Sequence, residues 1–162
     1  MAAHYQLSCE QWLADAGLPA DTLQNTQNML PLAEAWRLFL SILVRTGDSG
    51  LGFEVGRRVR ARSYQVLGYA ILASATVREA IERLTHFEKL AGNLGSSELR
   101  TDGPVARLQW LCPLDGEPAR FLSEAAITGW VTFVRQVLID APTPRRVCFR
   151  HAALQNLQPY EG

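Results

Sequence analysis

The sequence predicts an α+β fold in which a helical N-terminal half packs on a small, mainly antiparallel sheet with one long buried helix. Three observations predict it. Apolar residues recur at helical spacing up to about Ala91, the period changes to two after Gly95, and residues 120–140 are apolar on nearly all sides. The 162 residues, 48% of them apolar, suffice for one substantial core and are too few for two ordinary domains. A single domain over 1–162 is expected, with a short helical N-terminal extension over 1–20.

In order, Ser8 and Gln11 read as a capping box before a short helix that ends at Gly17, with Pro19 blocking its continuation. Residues 18–30 form a polar connector. Pro31 suits the first turn of the next helix, whose apolar stripe is Leu32, Ala35, Trp36, Phe39, Leu40 and Leu43 up to Gly47. Short helices follow over 51–60 and 65–73. Thr76 with Glu79 forms a second capping box, the Thr hydroxyl accepting from the Glu79 N–H and the Glu returning a bond to the cap. Behind it, Val77, Ala80, Ile81, Leu84, Phe87 and Ala91 make the inner stripe of a helix over 77–91. Gly92, Asn93, Gly95, Ser96 and Ser97 end the helical half.

Residues 97–102 and 105–112 read as a hairpin turning at Asp102, Gly103 and Pro104. Ala106, Leu108, Trp110 and Cys112 share one face of its second strand. After a turn region over 113–118, residues 120–140 read as the buried helix, closed by Pro142 and Pro144. Residues 145–150 read as a third strand.

Composition excludes several classes. Formal net charge is zero, so clustered phosphate-binding charge does not dominate, and the chain alone is expected to bind DNA weakly or not at all. The apolar stretch 121–139 is broken by Ser123, Glu124, Thr128, Gly129, Arg135 and Gln136, which marks a buried helix and not a membrane span. The first residues lack the basic and apolar regions of a secretory signal, and the odd, widely spaced Cys9, Cys112 and Cys148 fit reduced thiols; a cytoplasmic location is expected. No metal site is expected, because Cys148 and His151 lack a second ligand pair, and no cofactor is expected, because Gly50, Gly52 and Gly56 lack the spacing of a dinucleotide or P-loop fingerprint. Those glycines read as helix-packing positions. No Gly-x-Ser-x-Gly elbow or reactive-cysteine context appears, so no enzyme is expected. Arg57, Arg58, Arg60 and Arg62 read as a solvated basic face partly paired with Glu54 and other acids, the alternative being a clamp on a ligand carboxylate or a contact to DNA phosphate.

The order of residues 51–84 resembles the N-terminal, arabinose-binding-like effector domain of AraC-family bacterial transcription regulators. Gly52, Gly56, Arg57, Tyr64, Leu67, Gly68, Tyr69, Ala70, Ser74, Thr76, Glu79 and Ala80 carry the likeness. It continues in residues 120–131 and in the run Phe149, Arg150, His151 and Ala152. Ala75 stands where that family commonly has proline, and Ala61-Arg62 where it has Arg-Pro. The resemblance implies a sensor of a small-molecule effector of unknown identity, working as a homodimer and controlling an attached DNA-binding domain. Residues 153–162 are too few for the family's paired helix-turn-helix units, so that domain is expected to be absent from this chain and DNA to be met only through it. The effector is expected between helices and sheet, with Tyr69, Trp110 and Trp130 as apolar walls and Arg57 or Tyr64 as polar anchor. A small stand-alone enzyme and a purely structural dimerisation module are the alternatives.

Overall fold

A computed structural model describes Tyr5 and residues 8–24, 30–90, 92, 94–137 and 143–153. The chain divides into two compact units, Met1–Leu51 and Gly52–Gly162.

The first unit holds two helices. Helix α1 (Cys9–Asp15) ends because Gly17 takes a φ of 66°, which lets the Leu18 N–H donate to the Leu13 carbonyl (2.8 Å) and the Gly17 N–H to the Ala14 carbonyl (3.0 Å). Trp12, Leu13 and Leu18 are buried. The expected Ser8 capping bond is not formed; Ser8 has the extended backbone of a cap but is exposed, where solvent competes for the first-turn N–H groups. Helix α2 (Leu32–Thr46) follows Pro31, whose carbonyl accepts from Glu34 and Ala35, and it stops at the left-handed Gly47. Its buried face is centred on Leu38 and Ile42, one position away from the stripe read in the sequence, and Leu32 and Leu40 are exposed. The Ser41 hydroxyl, which donates to the Leu38 carbonyl at 2.8 Å, lies 3.3 Å from the Trp12 carbonyl, and Arg45 pairs with Asp15, which fixes α1 against α2.

Helix α3 (Leu51–Arg57) belongs to the second unit in all but its first residue. Its last turn tightens, with Arg58 and Val59 donating to carbonyls three residues back, and the Gln136 amide takes the Val59 carbonyl at 2.9 Å. The helix expected to reach residue 60 therefore stops at Arg57. A 3-10 turn (Ala61–Tyr64) leads into α4 (Gln65–Leu72), and α5 (Val77–Phe87) continues as a 3-10 turn over Glu88–Leu90. The expected helix ends at Ala91 and Asp140, and Pro142 beyond the second, lie outside the described residues. At the head of α5 the Glu79 N–H donates to the Thr76 hydroxyl at 3.1 Å, as the capping box requires. The Glu79 carboxylate returns its bond to the Ala75 N–H (2.8 Å), one residue ahead of the cap itself. Arg83 then ties α5 to α4 by donating to the Ala70 carbonyl at 2.7 Å.

Between the 3-10 turn and α4, Gln65 has φ 51° and ψ −134°. A side chain in that region carries strain of about 1–3 kcal/mol, whereas glycine adopts it freely at an entropic cost of about 0.5–1 kcal/mol. Gln65→Gly should therefore stabilise the unit by about 1 kcal/mol, read as a higher denaturation midpoint with an unchanged slope. A lower midpoint would contradict the strain.

Strands β1 (Ser96–Asp102) and β2 (Val105–Leu111) form the antiparallel hairpin, with Asp102 opposite Val105 across Gly103, whose φ is 54°. The Glu88 carboxylate accepts from the Ser97 N–H at 2.6 Å and joins the hairpin to the end of the helical run. Helix α6 (Gly116–Val137) starts four residues earlier than the sequence suggested, because Pro118 sits in its first turn, where no N–H is needed. The core gathers Leu67 and Ile71 of α4, Leu84 of α5 and Phe133 of α6, with Val59, Ala61, Tyr64, Ala80, Leu108 and Trp130 packed against them.

The third strand expected over 145–150 is not formed. The described sheet has two strands only, and residues 145–150 run without a ladder partner. A strand exists by pairing, and a short apolar run such as residues 147–149 does not supply the pair.

Candidate functional site

The crossing of α3 and α6 in the second unit is built from the absence of side chains. A Cβ on Gly52 would lie 2.7 Å from the Phe121 carbonyl and 2.8 Å from the Cβ and Oε2 of Glu124; one on Gly56 would lie 2.5 Å from the Thr128 Cβ and 2.8 Å from the Ala125 carbonyl. Gly52 and Gly56, one turn apart on α3, thus meet the Phe121–Ala125–Thr128–Gly129 face of α6 almost backbone to backbone. Gly129 returns the favour to the other side, with Val59 and the Tyr64 hydroxyl against it. This is the packing role read for Gly52 and Gly56 in the sequence. Gly68 serves similarly, since a Cβ there would fall 1.9 Å from the Ala61 carbonyl.

Of the five expected effector residues, Tyr64 and Trp130 come together around the core cluster. The Tyr64 ring meets Phe133 edge-on, with centroids 5.5 Å apart, and burial pushes its phenol up to about 12. Leu108 of β2 reaches the same cluster. Trp110, two residues further along that strand face, lies over Gly95, where a Cβ would be 2.4 Å from the indole. Tyr69 is elsewhere: 61% of it is exposed on α4. Arg57 pairs with Glu54 at 2.9 Å, and Arg58 reaches the same carboxylate. Burial raises the Glu54 carboxyl, but the hydrogen bonds from Arg58 and Arg57 outweigh it and hold the group below its ordinary value. Arg57 and Arg58 match the partly paired basic face expected of them.

A second constellation was not singled out in the sequence. Glu124 is completely buried on α6. Arg120, one turn before it and 12% exposed, places Nη1 3.3 Å from one carboxylate oxygen and 3.5 Å from the other, and Nη2 3.3 Å from Glu117. His151 Nε2 lies 3.1 Å from Glu124 Oε1, an ion-pair distance reached off the line of a well-formed hydrogen bond. Burial, and then the Arg120 charge, push the His151 imidazole below its ordinary value. A carboxylate this close favours the imidazolium, but Arg120 already answers its charge, so the downward direction stands. Phe149 stacks on His151 (5.0 Å) and meets Phe53 of α3 edge-on at 5.9 Å. The signal in the sequence was Glu124 itself, an acid within an otherwise apolar helix and four residues after an arginine.

Chemically, the arrangement places a carboxylate between a guanidinium and an imidazole, as an anchor for packed elements requires. Among the described residues no three His, Cys, Asp or Glu side chains gather as a metal site, and Cys148 is exposed. No described helix is long and apolar enough to cross a membrane. The first unit carries a groove of about 370 Å³ between α1 and α2, lined by Asp15, Ala16, Arg37, Leu40, Ser41, Val44 and Arg45. None of the expected effector residues is among them.

The family model described as the arabinose-binding domain of AraC transcription regulators, N-terminal, matches residues 7–162. The chain belongs to this family. An ornithine utilization regulator from Pseudomonas aeruginosa is 26% identical to the AraC-type domain over 109 residues, which are 67% of this chain and 32% of that protein. The domain thus spans about a third of the length of the curated relative it matches. Segments read as family-like meet in space: Gly52 and Gly56, Arg120 and Glu124, and Phe149 and His151 all belong to the α3–α6 neighbourhood of the AraC-type domain.

Proposed function

We propose that this chain is the effector-sensing and dimerisation domain of an AraC-type transcription regulator, acting in the cytoplasm and catalysing no reaction of its own. The observation that carries the reading is the family match over 7–162. A small molecule that binds one packing arrangement of the domain better than another would shift the pairing or orientation of attached DNA-binding domains. The effector site is proposed in the second unit, with Tyr64 and Trp130 at the core cluster, Trp110 on the adjoining strand face, and Tyr69 and Arg57 at its exposed margin. Tyr64 suits the role of polar anchor because its hydroxyl stays protonated throughout the physiological range and donates.

A thermal-shift screen tests this. Small metabolites are screened, with amino acids included because the relative is named for ornithine utilization. An effector that binds only the folded state, at 100 times its dissociation constant, should stabilise the domain by about 2.7 kcal/mol. Trp110→Ala should remove the ligand-dependent shift by more than it lowers baseline stability. A full shift retained in that variant would exclude Trp110 from the site, and a screen without any shift would count against a sensor.

A further inference from the structure

Residues 143–153 form neither helix nor strand, and all of them are exposed except Phe149 and His151. Among the described residues, no backbone hydrogen bond ties 143–148 to a helix or strand. The two partly buried side chains lie together, their ring centroids 5.0 Å apart across a bend at residues 150 and 151. Both land on the α3–α6 pair. Phe149 meets Phe53 edge-on at 5.9 Å, and His151 Nε2 reaches Glu124 Oε1 at 3.1 Å.

The receiving surface is built, not incidental. Glu124 is completely buried and held from its own helix by Arg120, and Gly52 leaves the space that a Cβ would take within 2.8 Å of Glu124 Oε2. Gly52 and Gly56 together set the spacing of α3 and α6. Phe149 and His151 thus contact two helices whose separation these two glycines control.

We propose that residues 143–153 are a strap that docks and releases as a unit, fastened to the α3–α6 pair by Phe149 and His151. A change in the spacing of α3 and α6 separates Phe53 from Glu124 and so loosens both fasteners together. The inference does not depend on the existence of an effector. It concerns a local opening of the folded domain, with the remaining core intact.

Arg145, Arg146 and Arg150 lie within the strap and are exposed, so trypsin reports its docking directly. Arg150 sits between the two fasteners, and its bond is protected for as long as they hold. In Phe149→Ala and in His151→Ala, cleavage after Arg150 should accelerate by about tenfold or more, with cleavage elsewhere in residues 52–137 unchanged. A fluorophore on Cys148, in a Cys9→Ser, Cys112→Ser background, should lose anisotropy in the same two variants. Unchanged cleavage after Arg150 in both would show that the segment is not fastened there. Acceleration across the whole of 52–137 would show that it is part of the core and not a strap.

Discussion

Gly56→Ala should destabilise the second unit by about 2 kcal/mol, although alanine is the better helix former by up to about 1 kcal/mol. The added Cβ would sit 2.5 Å from the Thr128 Cβ, 2.8 Å from the Ala125 carbonyl and 2.9 Å from the Gly129 nitrogen. Two of those three atoms are backbone of α6, so no rotamer change relieves the contact and the helices must part. Overpacking of this kind costs about 1–3 kcal/mol, and here it must also exceed the gain in helix propensity. Denaturant unfolding followed by circular dichroism reads the effect as a lower midpoint. A Gly56→Ala protein at least as stable as the wild type would mean that α3 and α6 are not in close contact at this crossing.

The second large effect is expected at Glu124. Glu124→Ala removes the carboxylate to which Arg120 donates and against which His151 Nε2 lies, while leaving both in place, and breaking a buried pair from one side costs about 3–5 kcal/mol. Arg120 keeps Glu117, which is mostly exposed and a weaker partner. The loss should consequently be non-additive: Arg120→Ala in the Glu124→Ala background should cost at least about 1 kcal/mol less than in the wild type. Full additivity would show that the two residues do not act as a pair. The family match does not predict either outcome; both follow from the geometry.

What could be read from sequence was the part set by near neighbours. The Thr76–Glu79 cap, the stop at Gly17 and the turn at Gly103 each depend on a few consecutive residues, and each is where the pattern placed it. Gly52 and Gly56 were legible as packing glycines because they did not fit a nucleotide-binding loop. Contacts between distant segments were not legible. Residues 145–150 read as a strand from the apolar run at 147–149, but in the described structure they pair with neither edge of the hairpin. The stripe of α2 was misplaced by one position because Leu32, Leu40, Leu38 and Ile42 are equally apolar, and only tertiary packing distinguishes them. Glu124 stood out only as an interruption of an apolar helix. Its partner His151 is 27 residues further along the chain, a separation no periodicity encodes. Among the proposed effector residues, packing separates those at the core, Tyr64 and Trp130, from the exposed Tyr69, a distinction the sequence pattern did not draw.

The sensor reading rests most directly on where an effector acts. Hydrogen exchange measured with and without a ligand that stabilises the domain is the measurement that tests it. Added protection is expected in the second unit, at residues 64–71 across the start of α4, 105–111 of β2 and 121–133 of α6, because these segments carry Tyr64, Trp110, Trp130 and the cluster between them. Protection confined to α1 and α2, around the groove of the first unit, would contradict it.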